Sequence, residues 1–279
     1  MLDEKTVRRL IDEGRRFMHG HRKDNPYGDF VSDQYQGKPM PPLTKAPMAD
    51  ESARVALPKD FSVLDTRCDL AKLINDRKSC RVFTGEKMDL AQLSFLLWST
   101  QGVKGIRGKG YATLRTVPSG GARHEFETYL MVADVEGLAP GAYHYLPMEH
   151  ALEFLGGAED VRGKVVGMVS GQKWAAKANV TFFWSMVAYR AEWRYGITAH
   201  RTALIDAGHV GQNLYLACTA LGVGTCGIAA FSHDLCCEAF GLDGDEEYVV
   251  YSAPVGTVDR KKDAEEERAT YSFVYEEGL

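Results

Sequence analysis

The pattern of apolar and polar residues changes character twice along the chain. Residues 4–19 repeat apolar side chains at helical spacing on one face, which predicts an amphipathic helix. Residues 24–60 contain six prolines and little periodicity, which predicts an extended arm. An irregular segment of that length usually wraps something, so we expect it to lie over the core or over a partner subunit. We therefore divide the chain into an N-terminal helix and arm, residues 1–60, and a main domain, residues 61–279.

From residue 61 onward, segments whose apolar residues have helical spacing alternate with segments whose apolar residues have the spacing of a strand. Helices are predicted at 65–74, 89–100, 159–170 and 198–221, and strands at 126–133, 142–146, 151–155, 181–187 and 248–255. Two of these strands flank Pro147-Met148-Glu149-His150, which predicts a hairpin. Residues 102–115 are rich in glycine and basic side chains and predict a loop. Hairpins mixed with helices favour an α+β class, with a central, mostly antiparallel sheet flanked by helices.

Composition and charge narrow the class of protein. The 279 residues are 45% hydrophobic and 25% charged, which is ordinary for a soluble globular enzyme. A net charge of −5 argues against a nucleic-acid partner and against a polybasic membrane-surface protein. The first residues include acids and no apolar run, so we expect no signal peptide, no membrane partner and a cytoplasmic location. The six cysteines include no C-x-x-C pair, which favours reduced, buried thiols over a metal site.

Three cations lie within five residues at 77–81. Period-two spacing places Arg77, Ser79 and Arg81 on one side if the segment is extended. Two guanidinium groups and a hydroxyl aimed the same way suit a phosphate, because arginine can bind phosphate through two hydrogen bonds at once. The segment falls between two predicted helices, where a fixed loop can hold an anion. A solvated basic patch is the alternative interpretation.

Two glycine-rich segments are candidates for close approach to a flat ligand. Residues 222–227 match the spacing G-x-G-x-x-G, but they follow the end of a predicted helix. A dinucleotide fingerprint must follow a strand and open a helix, so we reject that interpretation here. The other segment, residues 118–124, consists mostly of small residues and precedes an apolar strand. A plain helix cap and an ordinary tight turn are the respective alternatives.

Side chains that could act as acids, bases or metal ligands are few. His124 is a candidate acid, although a histidine in this position is more often a hydrogen-bonding loop residue. His200 and His209 are nine residues apart on one predicted helix, so they lie on opposite faces and cannot share a metal. Glu125 and Glu127 alternate along a strand, which leaves an acid–base pair unsupported. The aromatic and basic residues of 189–195 fit a substrate mouth and a solvated loop equally well.

Three segments taken together resemble the FMN-dependent nitroreductase family. They are Asp76-Arg77-Lys78-Ser79-Cys80-Arg81-Val82-Phe83, Pro118-Ser119-Gly120-Gly121-Ala122-Arg123-His124, and residues 220–231. The strings at 93–102, 115–129 and 206–213 are closer to the branch that includes thiazole/oxazole-forming dehydrogenases of the SagB type. The resemblance runs in order through roughly residues 61–258 and is more specific than any one motif.

The resemblance implies a flavoprotein fold and a homodimer with FMN bound between the subunits. It assigns the phosphate to Arg77, Lys78, Ser79 and Arg81, with Arg260, Lys261 or Lys262 as a further cation. It places Pro118, Ser119, Gly120, Gly121 and Ala122 beside the isoalloxazine ring, and Gly224, Gly227, Ile228, Ala229 and Ala230 on its other side. The backbone N–H of Ala229 would point at flavin N5, so the resemblance requires no catalytic side chain.

Some positions depart from the family pattern. Many members have an asparagine where Ala122 or Arg123 stands, and an acidic residue where Ala229 stands. The Lys–Tyr pair of the heterocycle-forming dehydrogenases has no clear counterpart here. The leading hypothesis is an FMN-dependent oxidoreductase that transfers hydride from NAD(P)H to a small molecule by a ping-pong mechanism. The alternatives are a dehydrogenase of a peptide-derived or small-molecule C–N bond and a non-catalytic flavin-binding accessory protein.

Overall fold

The structure, a computed structural model, describes residues 2–19, 30–259, 261–262, 264–265 and 268. The helices are α1 Glu4–Met18, α2 Leu70–Asp76, α3 Leu90–Gln101, α4 Val161–Met168, α5 Ala188–Tyr195, α6 Ala199–Leu221 and α7 His233–Phe240. The strands are β1 Arg54–Ala56, β2 Val103–Arg107, β3 Ala112–Arg115, β4 Phe126–Val132, β5 Gly141–Leu146, β6 Ala151–Gly157, β7 Val180–Val187, β8 Val223–Thr225 and β9 Glu247–Thr257.

Seven of these strands form one antiparallel sheet in the spatial order β1-β6-β5-β4-β7-β9-β8. Strand β4 lies at the centre, and all its residues are buried, since helices or the arm cover both faces. The predicted hairpin is confirmed as β5–β6, with Leu146 paired to Ala151 across the turn. The predicted α+β class with a mostly antiparallel sheet is therefore confirmed.

Successive residues of a strand point to opposite faces of the sheet, so the central strands contribute side chains to two separate hydrophobic cores. On one face Leu130, Phe182 and Trp184 pack under α3 and α6. On the other face Tyr129, Met131 and Phe183 pack under α4 and α7. The sheet is thus the middle layer of three, with helices on both sides.

The predictions for the two helices of the first face are confirmed. Helix α3 begins with a capping box, in which the Asp89 carboxylate and the Gln92 side chain each satisfy a backbone N–H at the helix start. Helix α6 has 23 residues and ends at Gly222, whose φ of 74° is left-handed and favours glycine. Gly222 leads directly into β8, so the glycines at 222–227 do follow a helix and enter a strand.

Two local predictions were wrong, and one of two open interpretations is excluded. Residues 102–115 are not a loop, because β2 and β3 form a hairpin separate from the main sheet; a bulge at Val103/Gly105 and the basic side chains obscure its alternation. Residues 189–195 are not a solvated loop, because α5 buries Arg190 and Trp193. Helix α2 begins at Leu70 rather than at residue 65, because the Asp69 carboxylate caps it there.

The described part of the arm lies over the second face of the sheet, beyond the area that α4 and α7 cover. Its Lys45 ammonium group binds the Glu247 carboxylate at 2.6 Å and the Tyr129 hydroxyl at 2.9 Å. The buried guanidinium group of Arg190 donates to the carbonyl of Pro42, also in the arm. Farther along, β1 pairs with β6 at the edge of the sheet. Buried charged side chains of the sheet and of α5 therefore hold the arm in place.

The predicted N-terminal helix is confirmed as α1, and none of its residues is buried. Its apolar residues Val7, Leu10 and Ile11 are 42%, 44% and 47% exposed. Among the helices of the described ranges, none is long and apolar enough to cross a membrane.

Candidate functional site

The basic segment at 77–81 has no regular secondary structure and lies between α2 and the end of α6. The Arg77 guanidinium group stacks over the ring of Tyr215 at 5.4 Å, and Ser79 Oγ lies 3.0 Å from the hydroxyl of the same tyrosine. Arg81 instead lies over Trp174, at 5.8 Å. Within the part of the chain that the structure describes, no carboxylate pairs with Arg77 or Arg81. The two guanidinium groups are therefore available to an anion.

The Tyr215 hydroxyl connects this basic segment to the turn after β8. It accepts a hydrogen bond from the Gly227 backbone N–H at 2.8 Å while it contacts Ser79. Two elements that are 148 residues apart in sequence are thereby joined through one oxygen atom of α6. Sequence reasoning missed Tyr215, because a tyrosine within a helical stripe of small residues has no local signal for this role.

Close packing determines the conformation of the turn at 227–230. An added Cβ on Gly227 would overlap the Tyr251 hydroxyl, so only glycine fits. Ile228 exchanges two backbone hydrogen bonds with Ser252, at 2.7 and 3.1 Å. Ala229 and Ala230 follow and are exposed. The Ala229 N–H has no hydrogen-bond acceptor among the described residues, so it is a free donor at the surface.

Gly224 lies on the other side of the same region, in β8. An added Cβ there would lie 2.7 Å from the Cβ of Cys80, which is closer than real Cβ contacts. Cys80 is buried, and its backbone N–H donates to the Thr225 carbonyl at 2.9 Å. The basic segment therefore packs directly against β8. The tight contact also orients Ser79 and Arg81, the neighbours of Cys80, away from the core.

The small-residue segment at 118–124 is a rigid, strained turn. Gly121, Ala122 and His124 have φ values of 55°, 54° and 47°, which are left-handed and costly for the two residues that carry a Cβ. The Gly120 N–H donates to the Asp206 carboxylate of α6 at 2.8 Å. The His124 N–H donates to Ser119 Oγ at 2.9 Å. Helix α6 thus holds this turn as well.

Two arginines lie against the same turn. Arg123 is 3% exposed; it stacks on Tyr111 at 4.7 Å and donates to the carbonyls of Gly121 and Tyr111. Arg194 donates to the Tyr111 hydroxyl at 3.0 Å. In the described ranges neither arginine has a carboxylate partner, so the border of the turn is positively charged. Part of the 189–195 segment therefore does border a candidate site.

His124 is a poor candidate for an acid. Burial, followed by the positive charge of Arg115, lowers its pKa to about 3. The imidazole is therefore neutral at neutral pH. His200 and His209 each approach an acid, Glu192 at 3.2 Å and Asp206 at 4.0 Å. Among the described residues, no group of histidine, cysteine and acidic side chains could hold a metal ion.

Glu125 and Glu127 have different environments, although they are two residues apart. Glu127 pairs with Arg190 at 2.6 Å and with His144 at 3.0 Å. Burial opposes ionisation of Glu127, but these two partners outweigh it and hold its pKa well below the usual range. Glu125 instead lies beside Asp206; burial and that second carboxylate raise its pKa to about 7. The sequence pattern did not reveal the Glu125–Asp206 pair, which only the packing of α6 creates.

Helix α6 separates the two candidate turns within one chain. Asp206 holds the turn at 118–124, and Tyr215 holds the turn at 227–230. Nine residues of α-helix correspond to about 180° of rotation and about 14 Å of rise. The two turns therefore contact opposite sides of the helix, and a single chain does not place them against each other. Arg260 lies outside the described residues, and the backbone N–H groups of Lys261 and Lys262 donate to Asp259.

A model of the nitroreductase family matches residues 74–257. The chain belongs to this family. The match includes the basic segment and both candidate turns. Members of the family are FMN-dependent oxidoreductases, and so is this protein.

Individual relatives agree with this assignment. A Methanocaldococcus jannaschii protein named as a nitroreductase is 31% identical over 67% of this chain and 90% of its own length. Trifolitoxin-processing protein TfxB of Rhizobium leguminosarum is 30% identical over 39% of this chain and 30% of its own. A crystal structure described as a nitroreductase from Anabaena variabilis is 26% identical, covers 74% of this chain and 42% of that one, and has a TM-score of 0.60.

The fold also matches a chain of the E. coli microcin synthetase McbBCD complex with truncated pro-MccB17 bound. The identity is 19%, the coverage is 92% of this chain and 95% of that chain, and the TM-score is 0.56. At 19% identity this similarity shows a shared fold only.

The described residues fit FMN. A flavin phosphate needs cationic donors, and Arg77 and Arg81 lack carboxylate partners in the described ranges. A flat ring needs a surface without bulky side chains, and Ala229 and Ala230 are small and exposed. Flavin N5 needs a donor, and the Ala229 N–H has no other acceptor in the part of the chain that is described.

Proposed function

We propose that this protein transfers hydride from NAD(P)H to a small-molecule acceptor by a ping-pong mechanism, with FMN bound between two copies of the chain. The single observation that carries the proposal is the Tyr215 hydroxyl. It joins the segment that carries Arg77 and Arg81 to the turn that exposes the Ala229 N–H. One oxygen atom therefore holds both the segment that would bind a phosphate and the turn whose N–H would bind a ring. A ligand with a phosphate at one end and a ring at the other needs both.

The residues of the chain have separate tasks in this proposal. Arg77, Ser79 and Arg81 bind the phosphate, and Lys78 adds positive charge in the same segment. The Ala229 N–H donates to the ring, and the turn at 118–122 covers the ring and excludes water. When bound, FMN supplies the hydride and electron chemistry itself. The protein therefore orients its ligands and needs no side-chain acid, which agrees with a neutral His124.

The position of the two turns on opposite sides of α6 supports the proposed homodimer. If both turns contact one flavin, the turn at 118–122 must come from the partner subunit. The exposed apolar side chains on α6 and α2 support the same proposal, since Leu204, Ile205, Leu70 and Ile74 are 55%, 60%, 60% and 57% exposed. Leu204 and Ile205 are adjacent on α6, and Leu70 and Ile74 lie one turn apart on α2; contiguous exposed apolar residues of this kind mark interaction surfaces. Sedimentation of a flavin-loaded monomer would refute the dimer.

A second candidate function is oxidation of a C–N bond in a peptide-derived or small molecule. It is favoured by the similarity to TfxB, whose name describes it as a trifolitoxin-processing protein. In that case the organic substrate would take the place of NAD(P)H as the electron donor. A flavin-binding accessory protein without turnover is the remaining possibility.

One set of measurements separates these functions. Purified protein is denatured with acid, and chromatography of the released cofactor identifies FMN or FAD. Rapid mixing with NADH or NADPH then follows the bleaching of the flavin absorbance. FMN that bleaches rapidly supports the proposal. FAD, or no flavin after reconstitution, overturns the site. Bound FMN that neither nucleotide reduces overturns the NAD(P)H-driven reaction and favours the other two functions.

A further inference from the structure

Two buried carboxyl groups lie side by side beneath the turn at 118–124. Glu125 is 1% exposed and Asp206 is 4% exposed, and they accept hydrogen bonds from consecutive residues of the turn, Glu125 from the Ser119 hydroxyl and Asp206 from the Gly120 N–H. No lysine or arginine in the described ranges forms an ion pair with either one. His209 approaches Asp206, but its Nδ1 lies 4.0 Å away and its side chain is 47% exposed.

Two adjacent carboxylates cannot both remain ionised in a buried site without a cation, so such a pair holds one proton. The hydrogen bonds favour Glu125 as the member that carries it. Asp206 Oδ2 accepts the Gly120 N–H at 2.8 Å, whereas Glu125 Oε2 has only the Ser119 hydroxyl at 3.4 Å. The buried Oε1 of Glu125 has no hydrogen-bond partner among the described residues.

We propose that Glu125 is a positioning residue, a neutral carboxylic acid that holds the proton shared with Asp206 and thereby fixes Ser119 and Gly120 in the turn beside the flavin. Glu125 acts through Ser119 Oγ, which also receives the His124 N–H. Asp206 acts through the Gly120 N–H. The link to the flavin rests on the function proposed above, whereas the shared proton does not.

The electrostatics of the surroundings agree with this arrangement. Burial first, and then Asp206, raises the pKa of Glu125 to about 7 from its ordinary value near 4.5. The charged or titratable groups that face the pair are Arg115 from β3, His124 from the turn and His209 from α6. His124 is neutral, and the Arg115 guanidinium donates to Gln101 at 2.7 Å and to Thr113 at 3.1 Å but forms no ion pair with Glu125 or Asp206 in the described ranges.

The consequence is a turn that depends on pH. The pKa of Glu125 is higher in the folded protein than in the unfolded chain, so the stability that the neutral pair contributes is complete below about pH 4.5. That contribution is lost as the pH rises to about 7, where Glu125 ionises and repels Asp206. FMN bound against the turn should dissociate more readily above that pH.

The proton itself can be observed without FMN. Infrared spectra of the apoprotein at about pH 6 should contain the C=O band of a buried protonated acid, and this band should disappear as the pH rises through about 7. Glu125→Gln should remove the band, because the amide keeps a donor toward Asp206 but has no acid. The exposed acid Glu136 supplies the control, since Glu136→Gln should leave the band unchanged. A spectrum without the band, or one in which Glu125→Gln retains it, overturns the proposal.

The affinity for FMN tests the positioning role. For the wild type we expect the dissociation constant to rise by about tenfold between about pH 6 and pH 8, as loss of one proton near pH 7 requires. Glu125→Gln should bind FMN as well as the wild type at the lower pH and lack this dependence. An unchanged dependence in Glu125→Gln would overturn the positioning role.

A second variant covers the case in which Glu125→Gln does not fold. Ser119→Ala removes the hydroxyl that donates to Glu125, so ionisation of Glu125 becomes less favourable and the infrared transition should move to higher pH. A transition that does not move contradicts the assigned hydrogen bond. If the wild type binds no FMN but shows the band, the proposed function fails while the shared proton stands.

Discussion

Two regions of the molecule concentrate charge, and they differ in whether the charges are paired. Beneath the arm, Glu127 has Arg190 at 2.6 Å and His144 at 3.0 Å, and Glu247 has Lys45 at 2.6 Å. At 77–81, Arg77 and Arg81 stack on aromatic rings, with no carboxylate partner among the described residues. Paired buried charges belong to the fold, because removal of one leaves the other uncompensated. Unpaired cations near the surface cost the fold little and are free to bind an anion.

The largest expected effect comes from breaking a pair beneath the arm. Arg190→Leu leaves the Glu127 carboxylate buried without its guanidinium partner, so we expect the free energy of unfolding to fall by about 3–5 kcal/mol. Urea denaturation of the apoprotein measures this change. Arg194→Leu, on the same helix, is the control and should cost less than Arg190→Leu, since its partners Gln34 and Tyr111 are neutral and its loss leaves no buried charge unpaired. Equal losses for the two variants would contradict the comparison.

For Arg77, which has no carboxylate partner in the described ranges, we expect a loss of FMN affinity rather than a loss of stability. Arg77→Ala should leave the stability of the apoprotein nearly unchanged, whereas FMN should bind more weakly. Loss of one charge-assisted hydrogen bond corresponds to about 1.5–3 kcal/mol, or roughly tenfold or more in affinity. Fluorescence titration of FMN measures the affinity. Lys72→Ala, an exposed cation on α2, is the matched control and should have no effect. If both variants bind FMN as the wild type does, the phosphate site is misplaced.

A smaller effect on FMN affinity is expected at Tyr215, which joins the basic segment at 77–81 to the turn at 227–230. Tyr215→Phe removes the acceptor of the Gly227 N–H and the partner of Ser79 but keeps the ring under Arg77. One neutral hydrogen bond contributes about 1 kcal/mol, so FMN affinity should fall about fivefold. The same titration measures it, with Tyr35→Phe as an exposed control. A loss as large as that of Arg77→Ala would mean that the hydroxyl touches the ligand itself.

The smallest effect is expected from His124. His124→Asn retains a residue that tolerates the left-handed φ of 47° and removes the imidazole. We expect the rate of flavin reduction by NAD(P)H to fall less than about tenfold, below the usual range for general acid–base catalysis. Rapid-mixing absorbance measures this rate. A loss of roughly a thousandfold with FMN still bound would mean that His124 takes part in the chemistry.

The same variant tests the sign of a pH effect. The pKa of His124 is lowered in the folded protein to about 3, so protonation favours the unfolded chain. The stability that neutral His124 contributes is therefore complete above about pH 6.5 and is lost as the pH falls toward 3. His124→Asn should lose less stability on acidification than the wild type does. An identical acid dependence of the two melting temperatures would contradict the assignment.

The sequence by itself determined the elements whose pattern is local. Helix α6, the capping box of α3 and the hairpin β5–β6 follow from periodicity and from turn residues, and the three motif segments together predicted the family. Interactions between residues close in sequence decide such features, from three or four apart in a helix to sixteen apart in this hairpin, so the chain records them directly. The hairpin β2–β3 was missed, because a bulge and basic side chains interrupt its alternation.

Only the tertiary structure decided how the candidate site is assembled. Tyr215 meets Ser79 across 136 residues, and Asp206 meets Gly120 across 86. Neither contact has a local signal, because hydrogen bonds between distant residues depend on how helices pack on the sheet. The opposite positions of the two turns on α6 and the shared proton of Glu125 and Asp206 have the same origin. Burial and proximity, which no single residue type encodes, set the charge of these groups.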